Sequence, residues 1–432
     1  MMNIFIGPTE ISGIANNLKK GFLGIGISAE TIFSQNHPFG YEKKTSNLWL
    51  VHIWQYIGLF RGRVSHRQLL LKVIVVIAHV SCSFLMLVWA LARFEAFIFI
   101  YGQTITNTRA ELILLRALGK KIFFLYVGSD ARPPYIDGPQ FPPSSTVDFE
   151  KVARLAKRSK RKLAMQEKYA DACINSPASA QLHARPFINW FKTGIPKIWD
   201  EDELGNDCQK TGLIRILHSP SHPEAKGTQI ILATIERLQA KGYPIELVKI
   251  EGMSHARVLQ ELVRCDFVVD QLYSDTPMAA FATEAAHFGK PAVVGGYFAR
   301  SVKQCLSPQD IPPSLFIPPE ELEQAIERLI VDVDFRLELG NRAREFVCRH
   351  WTPELVARRF LCLIEGSIPA DWWCIPSEVR YVQGCGMPED HAKTLVRGLI
   401  ERYGKASLQL SDKPELEQAF VQFAGLDSER TQ

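Results

Sequence analysis

Lys226 and Glu284 are the residues in this chain best suited by type and setting to do chemistry. Lys226 lies in Leu217-His218-Ser219-Pro220-Ser221-His222-Pro223-Glu224-Ala225-Lys226-Gly227-Thr228. This stretch runs from the end of a predicted strand into a predicted helix. An ammonium group, a glycine that permits close backbone approach, and the unpaired amides of a first helical turn together suit a diphosphate. A solvated turn in which Lys-Gly merely starts a helix would read the same way. Glu284 lies in Asp275-Thr276-Pro277-Met278-Ala279-Ala280-Phe281-Ala282-Thr283-Glu284-Ala285-Ala286-His287-Phe288-Gly289-Lys290-Pro291. Thr276 is placed to cap a helix whose first residue is Pro277, with Gly289 and Pro291 ending it. An acid among Ala and Phe neighbours is expected to be buried and partnered, where it could accept hydrogen bonds from ribose hydroxyls.

A third group is Gly128-Ser129-Asp130-Ala131-Arg132, after the apolar run Lys121–Val127. Asp130 could hold an acceptor hydroxyl and Arg132 could face an anion. Equally, Asp130 could cap its own turn, with Arg132 paired to it. The loop from Gly7 to Gly13 is a weaker fourth candidate. His218, His222 and His255 lack metal-ligand spacing, so no metal and no cofactor is expected.

These residues need strands to end beside them. Strands are predicted at Asn3–Gly7, Leu48–Ile53, Ala96–Tyr101, Lys121–Val127 and Ala172–Asn175, then at Leu213–His218, Ile245–Ile250, Phe267–Asp270 and Ala292–Val294. Helical spacing alternates with them, at Thr108–Leu118, Phe149–Tyr169, Gly227–Ala240, Ala256–Val263 and Pro277–Phe288. Further helices are expected within 318–365, 389–403 and 414–423. The fold class is therefore α/β, with two facing Rossmann-like domains of parallel sheets and a helical C-terminal tail. Residues 1–200 would form the first of these domains and 207–365 the second. Residues 366–432 would pack on both, and 186–206 would link them. Ligands in such sheets sit beyond the carboxyl ends of the strands.

The segments KGTQIILATIERL, CDFVVDQL and FATEAAHFGKPAVV resemble the donor-binding domain of retaining GT-B glycosyltransferases of the group 1 type. The resemblance is good over 210–300 and loose over the N-terminal half. It implies that Lys226 binds the donor diphosphate and Glu284 the ribose, and that Gly13, Ser219, Gly227, Asp275, Thr276, Met278, Ala279 and Ala280 line the donor site. It also implies an acceptor side of Gly128, Ser129, Asp130 and Arg132, with Asp130, Lys226 and Glu284 as the catalytic set. The chain departs from the pattern at three places. Pro220 and Ser221 stand where the family carries a basic residue. Thr276 stands in place of the first glutamate of a pair, with Asp275 one position away. Val127 stands where a histidine often precedes the Gly-Ser-Asp turn. The implied partners are a nucleotide-sugar donor and a hydroxyl-bearing glycan or lipid-linked acceptor of cell-surface polysaccharide or glycolipid synthesis. A nucleotide-sugar epimerase, or an inactive sugar-nucleotide-binding module, is the alternative.

The 432 residues are 47% hydrophobic and 22% charged, which suits a folded chain of two to three domains. A net charge of +4 without a recognition motif argues against nucleic acid. Nine scattered cysteines without a CxxC pair point to a reducing cytoplasm rather than a disulfide framework. Val73–Ala92 is long and apolar enough to span a bilayer, with Arg61, Arg63, Arg67 and Lys72 before it. It reads as a buried helix, a monotopic insertion or a span. A basic cluster of Lys157, Arg158, Lys160, Arg161 and Lys162 would suit peripheral contact with an anionic membrane on its inner face, or a solvated helix face.

Overall fold

The structure is a computed structural model of the chain and describes residues 2–34, 48–64, 68–197 and 212–426. Strands β1 (Asn3–Gly7), β2 (Ser28–Thr31), β3 (Ala96–Ile100), β4 (Lys121–Leu125), β5 (Ala172–Asn175) and β6 (Phe187–Asn189) belong to the first sheet. Between them run helices α1 (Ile14–Gly24), α2 (Trp49–Arg63), α3 (Leu69–Arg93), α4 (Arg109–Ala117) and α5 (Phe149–Tyr169), and the short α6 (Trp190–Thr193) follows. The second sheet holds β7 (Ile214–His218), β8 (Ile245–Lys249), β9 (Phe267–Gln271), β10 (Ala292–Gly295) and β11 (Leu315–Ile317). Its helices are α7 (Pro223–Lys226), α8 (Thr228–Ala240), α9 (His255–Arg264), α10 (Ala280–His287) and α11 (Val302–Cys305). They are followed by α12 (Leu322–Val331), α13 (Val333–His350) and α14 (Pro353–Glu365). The tail adds β12 (Trp373–Cys374), α15 (Glu389–Tyr403) and α16 (Pro414–Phe423).

The strand orders are β12-β6-β5-β4-β3-β1-β2 and β11-β10-β9-β7-β8. Every pairing is parallel except that of β12 with β6. The carboxyl ends of both sheets border one cavity, so the two lobes face each other in the GT-B arrangement. Continuous apolar runs explain the parallel strands, because each buries both faces. In β3, Phe97 and Phe99 enter one core layer while Ala96, Ile98 and Ile100 enter the other.

The tail returns to the first lobe. Beyond the β12–β6 pairing, α15 packs on α5, where Gly398 lies against the Phe149 ring. Helix α14 also crosses over to α1. A Cβ at Gly21 would lie 2.0 Å from the Pro353 carbonyl oxygen, so this crossing depends on glycine.

Two apolar segments differ from expectation. Leu48–Ile53 begins helix α2 rather than forming a strand. A short apolar run is ambiguous between the two, and its spacing continues helically to Phe60. Helix α3 lies along the first sheet with only 33% of its apolar window buried, less than a helix enclosed in a core would show. It leads through Phe94 straight into β3 of the same sheet. One side, with Val75, Cys82, Met86, Leu87 and Ala90, packs into the core. The other carries Leu70, Val73, Ile74, Ile77, Val80, Phe84, Leu85 and Val88 at helical spacing, all 48–84% exposed. Helix α2 repeats the pattern. Trp54 is buried and its indole donates to Ser83 Oγ at 2.8 Å, while Trp49, Ile53, Tyr56, Leu59 and Phe60 are exposed.

The short strands β2, β6, β11 and β12 carry no strong sequence signal. Each has two to four residues, and their neighbours in the sheet define them.

Candidate functional site

A cavity of about 410 Å³ lies between the two sheets. The first lobe contributes Ser12 and Ile14 after β1, Val127 and Gly128 after β4, Asn175, Ser176 and Ser179 after β5, and Trp190. The second contributes Ser219 and Lys226 after β7, Ile250, Met253 and His255 after β8, and Asp275, Thr276, Ala279, Ala280 and Glu284 after β9. Lys226 and Glu284 thus line one space, as the motif reading required.

Glu284 projects from α10 and is buried, 3% exposed. Its Oε1 accepts from Lys197 Nζ at 3.0 Å and lies 3.1 Å from His255 Nε2. Burial alone would raise its carboxyl pKa, but the Lys197 ammonium and the His255 contact outweigh it and hold the group below the ordinary glutamate value. An ionised carboxylate has about four lone-pair sites, so further acceptor capacity faces the cavity.

Helix α10 begins three residues later than expected. Thr276, Pro277 and Met278 form a loop, in which Ser274 Oγ accepts the Thr276 amide at 3.2 Å. Pro277 is held through its carbonyl by Ser314 at 2.6 Å. The helix then starts at Ala280 with no side-chain cap. The first amides of an α-helix have no intrahelical acceptor, so this uncapped turn offers donors and the positive end of a dipole beside Ala279 and Ala280.

Lys226 reaches the cavity but is not a lone cation. Its Nζ lies 2.8 Å from Oδ1 of the fully buried Asp270. One N–H of the ammonium meets Asp270, and the others are available to a second acceptor. The expected contribution from the opening of α8 is overturned. Gly227 adopts φ +70° and packs so closely on Leu272 that a Cβ would lie 2.7 Å from the Leu272 Cβ. Neither Gly227 nor Thr228 lines the cavity. His218 is buried, bonded to the Val269 carbonyl and Thr228, and desolvation brings its pKa down to about 4.

Other expected residues are also placed elsewhere. Gly13 lies between the lining residues Ser12 and Ile14 with φ +77° and does not itself border the space. The start of α1 is taken by Glu10, whose carboxylate accepts from the amides of Ala15 and Asn16 at 3.2 and 3.1 Å. Burial pushes Glu10 up to about 7. Met278 is fully buried.

On the acceptor side only Gly128 borders the cavity. Asp130 caps its own turn, with Oδ1 accepting from the amides of Val127 and Gly128 at 3.1 and 2.9 Å. Its Oδ2 is buried with no hydrogen-bond partner among the described residues, and desolvation raises the carboxyl to about 6. Ser129 and Asp130 border a separate groove of about 1070 Å³ along α5. Arg132 is 4% exposed and bridges the lobes. Nη1 bonds Asp137 at 2.8 Å and Nη2 bonds Asp275 of the second lobe. Arg132 therefore pairs with neither Asp130 nor the cavity, while Asp275 lines the cavity and is bonded to Arg132 through Oδ2.

Sequence reasoning missed Asn175, Ser176, Ser179 and Trp190 as cavity residues, and Lys197 as the partner of Glu284. Lys197 gave no signal because the interdomain segment delivers it to Glu284 across 87 positions. Asn175 at the end of a predicted strand could have been marked by the rule that ligands sit there. It is fixed by Ser179 and by His183, which in turn meets Glu167.

No family model and no curated protein matches the chain. Solved structures do. The sucrose-phosphate synthase of Thermosynechococcus elongatus is 13% identical over 85% of this chain and 99% of its own, with a TM-score of 0.48. The HepE protein of Anabaena in complex with UDP and glucose is 11% identical over 85% and 100%, with a TM-score of 0.45. The S. aureus MnaA–UDP complex is 14% identical over 85% and 97%, with a TM-score of 0.42.

Proposed function

We propose that this protein transfers a sugar from a nucleoside-diphosphate-sugar to a hydroxyl acceptor. One observation carries the reading. The uncapped start of α10, the Lys226 ammonium and the Glu284 carboxylate converge on one cavity between the carboxyl ends of two facing sheets. The diphosphate would sit on the α10 amides with a second contact from Lys226. Ribose hydroxyls would donate to Glu284. The apolar wall of Ile250, Met253 and Val258 suits the flat base. Asn175, Ser176 and Ser179 on the opposite lobe offer hydrogen bonds to the sugar and the acceptor.

In the reaction the bond from the sugar C1 to the diphosphate oxygen breaks and a bond from C1 to the acceptor oxygen forms. The acceptor proton leaves with the diphosphate. The fixed amides and ammonium stabilise charge as it develops on the leaving group; loss of one such donor costs about 3–4 kcal/mol. Among the described residues, the two carboxylates that line the cavity are each paired with a cation, Glu284 with Lys197 and Asp275 with Arg132. This supports a retaining course, with the departing diphosphate as base.

A second reading is donor binding without transfer. It is favoured by Thr276 at the sugar-contact position and by the hold of Arg132 on Asp275. Both readings are tested by thermal stabilisation across a panel of nucleotide-sugars, followed by assay of released nucleoside diphosphate. Stabilisation and release, both lost in Glu284→Gln, are expected for the transferase. Stabilisation without release by any acceptor class selects the second reading. The absence of stabilisation by every nucleotide-sugar defeats both.

A further inference from the structure

We infer that the hairpin of α2 and α3 is a docking surface for an anionic lipid bilayer, into which its outer apolar stripe inserts without crossing. The hairpin is built the reverse of a soluble surface helix. Its outward stripe is apolar, including Tyr56, Phe60, Leu70, Ile74, Ile77 and Phe84, each 40–84% exposed. Soluble monomers rarely leave so continuous an apolar patch in water. The inner side of both helices is already committed to the core through Trp54, Met86 and Ala90, so the stripe cannot be covered by rotating the helices inward. For the same reason α3 cannot leave the sheet to span a membrane.

Charge selects the occupant. The stretch Trp49–Arg93 contains no Asp or Glu. Arg61 and Arg63 end α2, and Lys72 lies in the first turn of α3, so the cations gather at one end of the hairpin. Helix α5 packs into the same core layer on the same side of the sheet and presents exposed Lys157, Arg158 and Arg161. An apolar stripe flanked by cations fits acyl chains beneath anionic headgroups. A second copy of this chain would bring its own cations to the contact. The inference is independent of the sugar-transfer reading, because none of these residues lines the cavity between the lobes.

The test is flotation of the full chain with phosphatidylcholine vesicles and with vesicles that also contain phosphatidylglycerol. The protein is expected to float with the mixed vesicles, and high salt should weaken the binding. The combined variant Leu70→Ser, Ile74→Ser, Ile77→Ser and Phe84→Ser should lower binding at least about tenfold while melting at an unchanged or higher temperature, since the four side chains are exposed. Lys157→Gln with Arg161→Gln should lower binding to mixed vesicles by about fivefold per charge removed and leave that to phosphatidylcholine alone unchanged. Failure of the native chain to float with either vesicle overturns the inference. So does undiminished flotation of the serine variant. A native dimer in sedimentation that the serine substitutions dissolve would assign the face to a second copy instead.

Discussion

The two lobes share a plan but keep their buried charges differently. In the second lobe a buried charge is met by its opposite: Glu284 by Lys197, Asp270 by Lys226. In the first, Asp137 meets Arg132 in the same way, but Glu10 and Asp130 are held mainly by backbone amides. Amides satisfy a carboxylate's hydrogen bonds but do not neutralise it, so desolvation prevails and both acids are raised, to about 7 and about 6. Glu284, equally removed from water, is lowered by its cation. The lesson is that Glu284 is kept as an ionised acceptor for a ligand, while Glu10 and Asp130 serve to shape turns.

The largest test of this comparison is the buried arginine that joins the lobes. Arg132→Met would leave Asp137 and Asp275 buried without their guanidinium, and breaking such a pair from one side costs about 3–5 kcal/mol. Chemical denaturation should show that loss, along with earlier separation of the lobes. Stability within about 1 kcal/mol of the native chain would mean that the bridge does not hold them.

Next is Glu284→Gln. If Glu284 is the ribose acceptor, losing a charged hydrogen bond worth about 1.5–3 kcal/mol should weaken nucleotide-sugar binding roughly tenfold to a hundredfold by calorimetry. Binding of the isolated nucleobase should be unaffected. Equal binding by native and variant chains would reduce Glu284 to a partner of Lys197.

Asp130→Asn separates a turn cap from a catalytic acid. Both amides bond Oδ1, which an asparagine retains. A raised folded-state pKa stabilises the fold below the ordinary aspartate value, and that stability is lost as pH rises through about 6. The variant should therefore be more stable than the native chain at pH near 8, by about 3 kcal/mol, and gain little at pH near 4. If the sugar-transfer reading holds, the variant should also keep its turnover. Loss of turnover with an intact fold would restore Asp130 to the acceptor site. The second lobe should show the opposite trend. His218, depressed to about 4, stabilises the fold above the ordinary histidine value, and that contribution is lost as pH falls from about 6.5 toward 4.

The smallest effect is expected at the rim. Ser144 donates to Glu224 across the lobes through its amide and its hydroxyl at 2.8 and 2.7 Å, but both residues are exposed. Glu224→Gln should change stability by no more than about 1 kcal/mol. A larger change in KM than in stability would show that this contact governs closure.

Much of the fold was legible because its signals are local. Apolar runs such as Ala96–Ile100 and Phe267–Gln271 report strands buried on both faces, and Gly289-Lys290-Pro291 reports a helix stop, whatever the rest of the chain does. The setting of Glu284 was local too, and its burial followed from its neighbours. What the sequence could not decide was which groups meet across distance. Lys197 reaching Glu284 and Arg132 reaching Asp275 are outcomes of packing between segments 87 and 143 positions apart. The helix α3 makes the same point. Its composition alone is compatible with core, membrane surface or span. Only its attachment to β3 and the burial of its inner face show that it lies on the sheet with its outer stripe in the open. Hydrophobicity measures what a segment can bury, and the tertiary arrangement decides how much of it is buried.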